Sequence, residues 1–515
     1  MRSQKPEEHR QRMRYDRMVQ RMRDAEYAML KEVTYLDHAG TALPCKSLMQ
    51  AFSRQMQTSL LANPHSALAS DASLAQSTIL SARKSVLQLF NASPDHFDVV
   101  FTSNATAGVK LVAEAFSQHD EGFEYRCHRD CHTSLVGVRE LARESYYLAS
   151  DKATESWINQ EGDDTGGTHK RLTLFAYPAQ SNMNGRRLPL CWASQVRKAG
   201  SHANTYILLD VAALVTTTSL DLSNPATAPD FLTMSFYKMY GFPDLGALVV
   251  RRSAAYLFDK KRYFGGGTTE SITCDEGKKS WVARKDSLRA RLEDGTQPMH
   301  SILALECAVR VHQKLYGGFG EVSQHTSWLA KQLFEQLASL RHDNGRPVCI
   351  IYKDQASDYG NAETQGAVLA LNIVDSSGVY HGSSRVGDLA LKNGIHLRSG
   401  GLCNPGGMAQ ALGLHADDIR SAFDAGYRCG QDPDTMQRPF GVVRVSVGAC
   451  STLRDVKRFA YFVQREFTSP SRGVRWPWSE LRCLEKWTSS SRACEQSTSK
   501  TRQHRTDSRW HTGKA

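Results

Sequence analysis

No stretch of the 515-residue chain stays apolar for the roughly 18 residues that a bilayer-crossing helix needs, so the sequence predicts no membrane span. The N-terminus, MRSQKPEEHRQRMRYDRM, lacks the apolar core of a secretory signal, and Glu7, Glu8 and Asp16 interrupt the arginines of a transit peptide. A cytoplasmic protein is the expectation. Zinc-type cysteine spacing is missing too. Of twelve cysteines only Cys127 and Cys131 lie close, four apart, so no metal site is expected and reduced thiols are the simplest reading. Net positive charge is scarce in the body of the chain. The net +11 divides into +4 over residues 1–31 and +6 over 470–515, leaving +1 between, which argues against a nucleic-acid-binding body. No internal repeat is present.

The sequence does contain ample core material, 41% hydrophobic, enough for two or more domains. Strand-like runs that are apolar throughout, such as 99–102, 172–176, 206–210 and 231–235, alternate with helix-like stretches over 70–90, 105–116 and 301–315. That alternation predicts a buried, mostly parallel sheet in an α/β fold. The expected divisions are a basic helical extension over 1–32, a large domain over 33–330, a smaller α/β domain over 331–468 and a disordered basic tail over 469–515.

Lys238, in Ser235-Phe-Tyr-Lys238, follows an apolar strand. A lone lysine in that position more often snorkels to solvent than reacts, but a desolvated amine is a nucleophile able to form a Schiff base. Asp210 ends another strand 28 residues earlier, the length of one crossover between neighbouring parallel strands. Strand ends of open α/β sheets face a ligand crevice, so the pair fits the amine and the ring-nitrogen partner that pyridoxal phosphate requires. Thr102-Ser-Asn-Ala-Thr-Ala-Gly108 opens a helix with small residues and hydroxyls suited to a phosphate. Ser235 and the Gly265–Thr268 turn add to this. His132 could stack on a ring or move a proton, and Asn182 could donate to a ring oxygen. Cys403 sits in the glycine-rich run Arg398-Ser-Gly-Gly-Leu-Cys-Asn-Pro-Gly. Arg398 and Arg444 are suited to gripping a carboxylate.

The ordered set Tyr35-Leu-Asp-His-Ala-Gly, Thr102-Ser-Asn-Ala-Thr-Ala, His132-Thr-Ser-Leu-Val-Gly, Ser235-Phe-Tyr-Lys, Gly265-Gly-Gly-Thr, Glu293-Asp-Gly-Thr and Arg398–Gly406 resembles class V aminotransferase-fold cysteine desulfurases. More closely, it resembles the N-terminal half of molybdenum cofactor sulfurases. The resemblance spans about residues 33–465. It implies a fold-type I pyridoxal-phosphate enzyme with a mostly parallel seven-stranded sheet, working as a homodimer. It places the Schiff-base lysine at Lys238, the ring-nitrogen carboxylate at Asp210, the ring-stacking imidazole at His132 and the ring-oxygen donor at Asn182. Further cofactor contacts fall on Ser103, Ala105, Thr106 and Ser235, with Thr268 serving the partner subunit. It makes Cys403 the persulfide carrier, Arg444 the substrate-carboxylate clamp and Arg398 its accessory.

The chain departs from that pattern in three places. Flanking cysteines common in relatives are replaced by Gly401 and Met408. Ala213 stands where a glutamine is usual. Full-length molybdenum cofactor sulfurases continue into a cofactor-binding domain, whereas this chain carries its basic tail there. The implied reaction is L-cysteine desulfuration with sulfur passed to molybdenum cofactor, or to a separate domain that binds it, for xanthine dehydrogenase and aldehyde oxidase. The alternatives are a desulfurase or selenocysteine lyase with another acceptor, or a non-catalytic scaffold of the same fold.

Overall fold

The computed structural model describes residues 4–64, 74–160, 171–274 and 281–468. Its centre is a seven-stranded sheet of β1 (Phe97–Thr102), β2 (Phe123–His128), β3 (Glu144–Leu148), β4 (Leu172–Pro178), β5 (Thr205–Asp210), β6 (Phe231–Ser235) and β7 (Gly246–Arg251), in the order β1-β7-β6-β5-β4-β2-β3. The strands from β6 to β3 run parallel, and β7 lies antiparallel between β6 and β1.

The mostly apolar central strands give this sheet two buried faces, because successive side chains point to opposite sides, while the edge strand β3 is exposed at all but Leu148. Phe175 and Tyr177 of β4, Ile207 and Leu209 of β5, and Leu232 and Met234 of β6 enter one core. Their neighbours Leu174, Ala176, Leu208 and Phe231 enter the other. Helix α1 (Gln4–Glu26) precedes the sheet in sequence. Helix α2 (Ala105–Ser117) covers the second face through Val109, Val112 and Phe116, and α3 (Met299–Tyr316) covers the first through Ile302, Leu305 and Ala308. The helix expected over 70–90 spans Leu74–Leu89, with its first residues outside those described.

A third core joins α4 (Phe319–Ser339) to an antiparallel sheet of β8 (Cys349–Ile351), β9 (Val368–Ile373), β10 (Arg398–Gly400) and β11 (Val442–Ser446), in the order β8-β9-β11-β10. Helices α5 (Pro405–Leu412), α6 (Ala416–Asp424) and α7 (Leu453–Phe467) follow. Leu329, Leu333 and Leu337 of α4 pack here with Leu371, Val443, Val445, Phe459 and Val463, and Leu36 joins them from the front of the chain. Residues 365–367 lie outside β9, because Gly366 N–H donates to Gly185 O at 2.7 Å and Gln365 bridges Arg186, tying the smaller sheet to the loop after β4. Helix α1 docks through polar contacts: Arg23 pairs with Asp455 in a buried ion pair, and Asp16 accepts the Leu453 N–H at 2.9 Å. The tail expected over 469–515 lies outside the described residues.

Candidate active site

Four of the candidate residues follow the carboxyl ends of four adjacent parallel strands. His132 comes four residues after β2, Asn182 four after β4, Asp210 closes β5, and Lys238 lies on the turn of helix Tyr237–Tyr240 after β6. The β5–β6 register sets Leu208 against Phe231 and Asp210 against Thr233, so the Asp210 and Lys238 segments leave the sheet side by side. The start of α2 reaches the same edge, because Gly246 of β7 pairs with both Thr102 and Ser235. A Cβ on Gly246 would stand 2.5 Å from Asn104 Cα, so glycine permits this close approach.

Lys238 is half-buried, and its ammonium has no hydrogen bond or ion pair among the described residues. Burial lowers its pKa; Asp210 and Asp37 oppose that shift while Arg444 reinforces it. The charge of Cys403 also acts on Lys238, which brings the two proposed reactive groups into one electrostatic neighbourhood. Asp210 is buried and in no ion pair among the described residues; its Oδ1 accepts the Ala212 N–H at 2.9 Å, which aims the carboxyl. His132 caps a short helix: Nδ1 accepts the Ser134 N–H at 3.1 Å. Burial lowers its pKa against the pull of Asp210. The imidazole is therefore neutral at pH 7, with its proton assigned to Nε2 because Nδ1 is the acceptor.

At the start of α2, Asn104 Oδ1 accepts the Ala107 N–H at 3.0 Å, and the Ala105 N–H donates to Ser235 Oγ at 2.9 Å. The Ala105 amide is thus already engaged. The hydroxyls of Ser103 and Thr106 are exposed and have no protein partner among the described residues. Thr268 is buried and donates to Gly265 O at 2.7 Å within its own turn.

The smaller sheet supplies the rest. Arg444 of β11 is buried; one guanidinium nitrogen lies 2.7 Å from Asp37 Oδ1, another donates to Asn182 O at 3.0 Å, and its buried Nε has no partner. Arg398 lies directly opposite Arg444 in the β10–β11 ladder, with its side chain exposed and unpaired among the described residues. Cys403 is exposed in the left-handed backbone region, φ +53°, beside Leu402 at +56°. Its carbonyl accepts the Thr133 N–H at 2.9 Å, next to His132.

One amide hydrogen of Asn182 goes to Leu402 O at 2.8 Å, so this residue also tethers the cysteine loop. Asn404 completes the attachment. It is fully buried, donates to Asp130 O at 3.1 Å and to Asn182 Oδ1 at 3.0 Å, and accepts the Gly407 N–H at 3.0 Å. Sequence reasoning missed Asn404 and Asp37 as site residues, though both stand in the quoted motifs. The signal for Asn404 was an asparagine before a proline at a helix start.

Comparison with known proteins gives a family and a fold. The family model described as aminotransferase class-V matches residues 34–459. The molybdenum cofactor sulfurase of Aspergillus clavatus is 48% identical over 465 residues, covering 89% of this chain and 54% of that protein. The molybdenum cofactor sulfurase of Neurospora crassa is 50% identical over 457 residues, covering 87% and 48%. The chain thus spans about half the length of these curated relatives. Among solved structures, the cysteine desulfurase from Thermococcus onnurineus aligns with a TM-score of 0.64 at 20% identity, covering 86% of this chain and 96% of that one. The cysteine desulfurase from Escherichia coli also aligns at 0.64 and 20%, covering 87% and 98%. At that identity the likeness establishes the fold.

Proposed function

This chain belongs to the class-V aminotransferase family, and on that premise we propose that it is a pyridoxal-phosphate-dependent L-cysteine desulfurase that loads sulfur on Cys403 for molybdenum cofactor. The observation that carries this reading is the unpartnered amine of Lys238 beside the aimed carboxyl of Asp210, on neighbouring strand tips. The donor set fits pyridoxal phosphate: an amine for its aldehyde, a carboxylate for its ring nitrogen, and two free hydroxyls at a helix start for its phosphate. Lys238, Asp210, His132, Asn182, Ser103, Thr106 and Ser235 would hold it, and Thr268 would serve the partner's site in a homodimer. When bound, the cofactor supplies an electron sink for carbanion chemistry at the substrate's Cα.

The chain's own residues supply the rest. Burial raises the neutral fraction of Lys238, so its Nζ can accept and return the Cα proton. Arg444, with Arg398 opposite, binds the amino acid's carboxylate. Neutral His132 holds a proton at Nε2 for donation. Cys403 Sγ, as a thiolate, bonds to the substrate sulfur as the Cβ–S bond breaks, leaving alanine and a Cys403 persulfide. In the proposed division of labour, residues 33–330 hold the cofactor and 331–468 present the cysteine loop, in the cytoplasm. The acceptor is molybdenum cofactor, after which the relatives are named, presented by a cofactor-binding domain.

The purified chain should be yellow and should form alanine and a persulfide from L-cysteine. Lys238→Ala should lose the colour. Cys403→Ser should keep it and form no persulfide. Release of sulfide at the full single-turnover rate by Cys403→Ser would remove the nucleophile role.

A further inference from the structure

We propose that Cys429 is a second sulfur-carrying thiol, which takes the persulfide sulfur from Cys403 and presents it on the outer side of the smaller domain. The proposal rests on the desulfurase reading above. Cys429 is exposed on the stretch between α6 and β11, and its Sγ accepts the Gly401 N–H at 3.1 Å. Gly401 is two residues before Cys403. Consecutive Cα atoms are about 3.8 Å apart, so the Cys403 Cα lies within about 7.6 Å of the Gly401 Cα, on the same loop that Cys429 Sγ touches.

The loop is also shaped to admit this sulfur. A Cβ on Gly400 would stand 3.2 Å from Cys429 Sγ, and one on Gly401 would stand 3.3 Å from it. Two bare glycines therefore leave the space that the second thiol uses. Gly400 adopts φ +96°, a conformation that favours glycine in any case, but Gly401 has no such backbone requirement. Cys403 itself is exposed, and its thiol has no hydrogen bond among the described residues. Two exposed thiols thus stand on adjoining backbone segments, Cys403 on the loop itself and Cys429 with its sulfur against Gly400 and Gly401 of that loop.

The transfer step balances without an added oxidant or reductant. Cys429 Sγ, as a thiolate, attacks the outer sulfur of the Cys403 persulfide. A Cys429 sulfur–sulfur bond forms as the Cys403 sulfur–sulfur bond breaks, and the breaking bond's electron pair leaves on Cys403 Sγ as a thiolate. The hydrogen of the outer sulfur travels with it. Cys403 is returned in the state that attacks the next substrate.

The test uses the full chain loaded with pyridoxal phosphate, given L-cysteine for one turnover, quenched by alkylation and mapped by peptide mass spectrometry. The wild type should carry persulfide first on the Cys403 peptide and then on the Cys429 peptide. Cys429→Ser should hold it on Cys403 alone, and Cys403→Ser should carry it on neither. Alanine release with persulfide confined to Cys403 in the wild type overturns the relay and leaves the desulfurase reading standing. Undiminished Cys429 persulfide in Cys403→Ser also overturns the relay. Absence of both alanine and persulfide overturns both readings together. As a readout independent of the cofactor, mild diamide oxidation should join Cys403 to Cys429 as a mapped disulfide. Failure to join them while both thiols alkylate freely overturns the required reach.

Discussion

Lys238 and Arg444 are both basic and both lie under the loop of Cys403, yet their surroundings fit them for different work. Lys238 has no ion-pair partner among the described residues, and burial moves it toward the neutral amine that proton transfer needs. Arg444 is held by Asp37 and the Asn182 carbonyl, which fixes its planar fork and leaves its buried Nε unsatisfied. A fixed guanidinium with a spare donor suits a carboxylate; a lysine there would keep the charge and lose the fork. Arg444→Lys should therefore raise KM for L-cysteine by about 10–100-fold, the loss expected for a charged hydrogen bond of about 1.5–3 kcal/mol, with the yellow colour kept. Steady-state kinetics with unchanged KM would remove the clamp role. Both basic residues were legible in sequence as chemistry-bearing. The Asp37 contact was not, because 407 residues separate the partners.

At the scale of elements, the cysteine loop depends on one buried asparagine. Asn404 caps α5 and at the same time bonds the segments carrying Asp130 and Asn182. Asn404→Ala should lower stability by about 1–3 kcal/mol, because buried polar groups lose their partner. It should also slow Cys403 persulfide formation more than it weakens the cofactor's colour, since the cofactor-holding residues sit on other elements. Denaturant titration together with persulfide mapping checks this; equal loss of colour and persulfide would mean a general collapse of the site instead. The seven strands were readable because continuous apolar runs bounded by turns mark buried parallel strands. The two roles of Asn404 were only half readable: the cap is a local pattern, whereas the bonds to the large domain are decided by packing.

For the whole molecule, three buried histidines make folding sensitive to acid. His38, His312 and His325 lie in different parts of the chain, and burial lowers each to about 4. In the unfolded chain each titrates near 6.5. As pH falls through 6.5 the unfolded chain takes up protons that the folded chain does not, so these groups' contribution to stability is present above that range and is lost on the way to about 4. The slope is about 1.4 kcal/mol per pH unit for each proton taken up. The urea midpoint should therefore drop clearly between pH 7 and pH 5, and a flat midpoint would contradict neutral burial of the three rings. Sequence placed these histidines without showing their burial. His38 stands in a motif that draws attention to chemistry, yet it is packed beneath the site with Cys450 Sγ 4.0 Å from its Nε2.

The amino-acid sequence by itself determined which segments become strands and helices, and which strand tips carry Lys238, Asp210, Asn182 and His132, because apolar periodicity and motif order are local properties of the chain. The tertiary structure alone decided that these tips lie side by side, that Arg444 leans on Asp37, that Asn404 stitches the cysteine loop down, and that the sulfur of Cys429 stands at Gly401 where no cysteine occurs in the chain. The reason is physical: such contacts join residues tens to hundreds of positions apart, and only the packing of two cores against each other sets which of them meet.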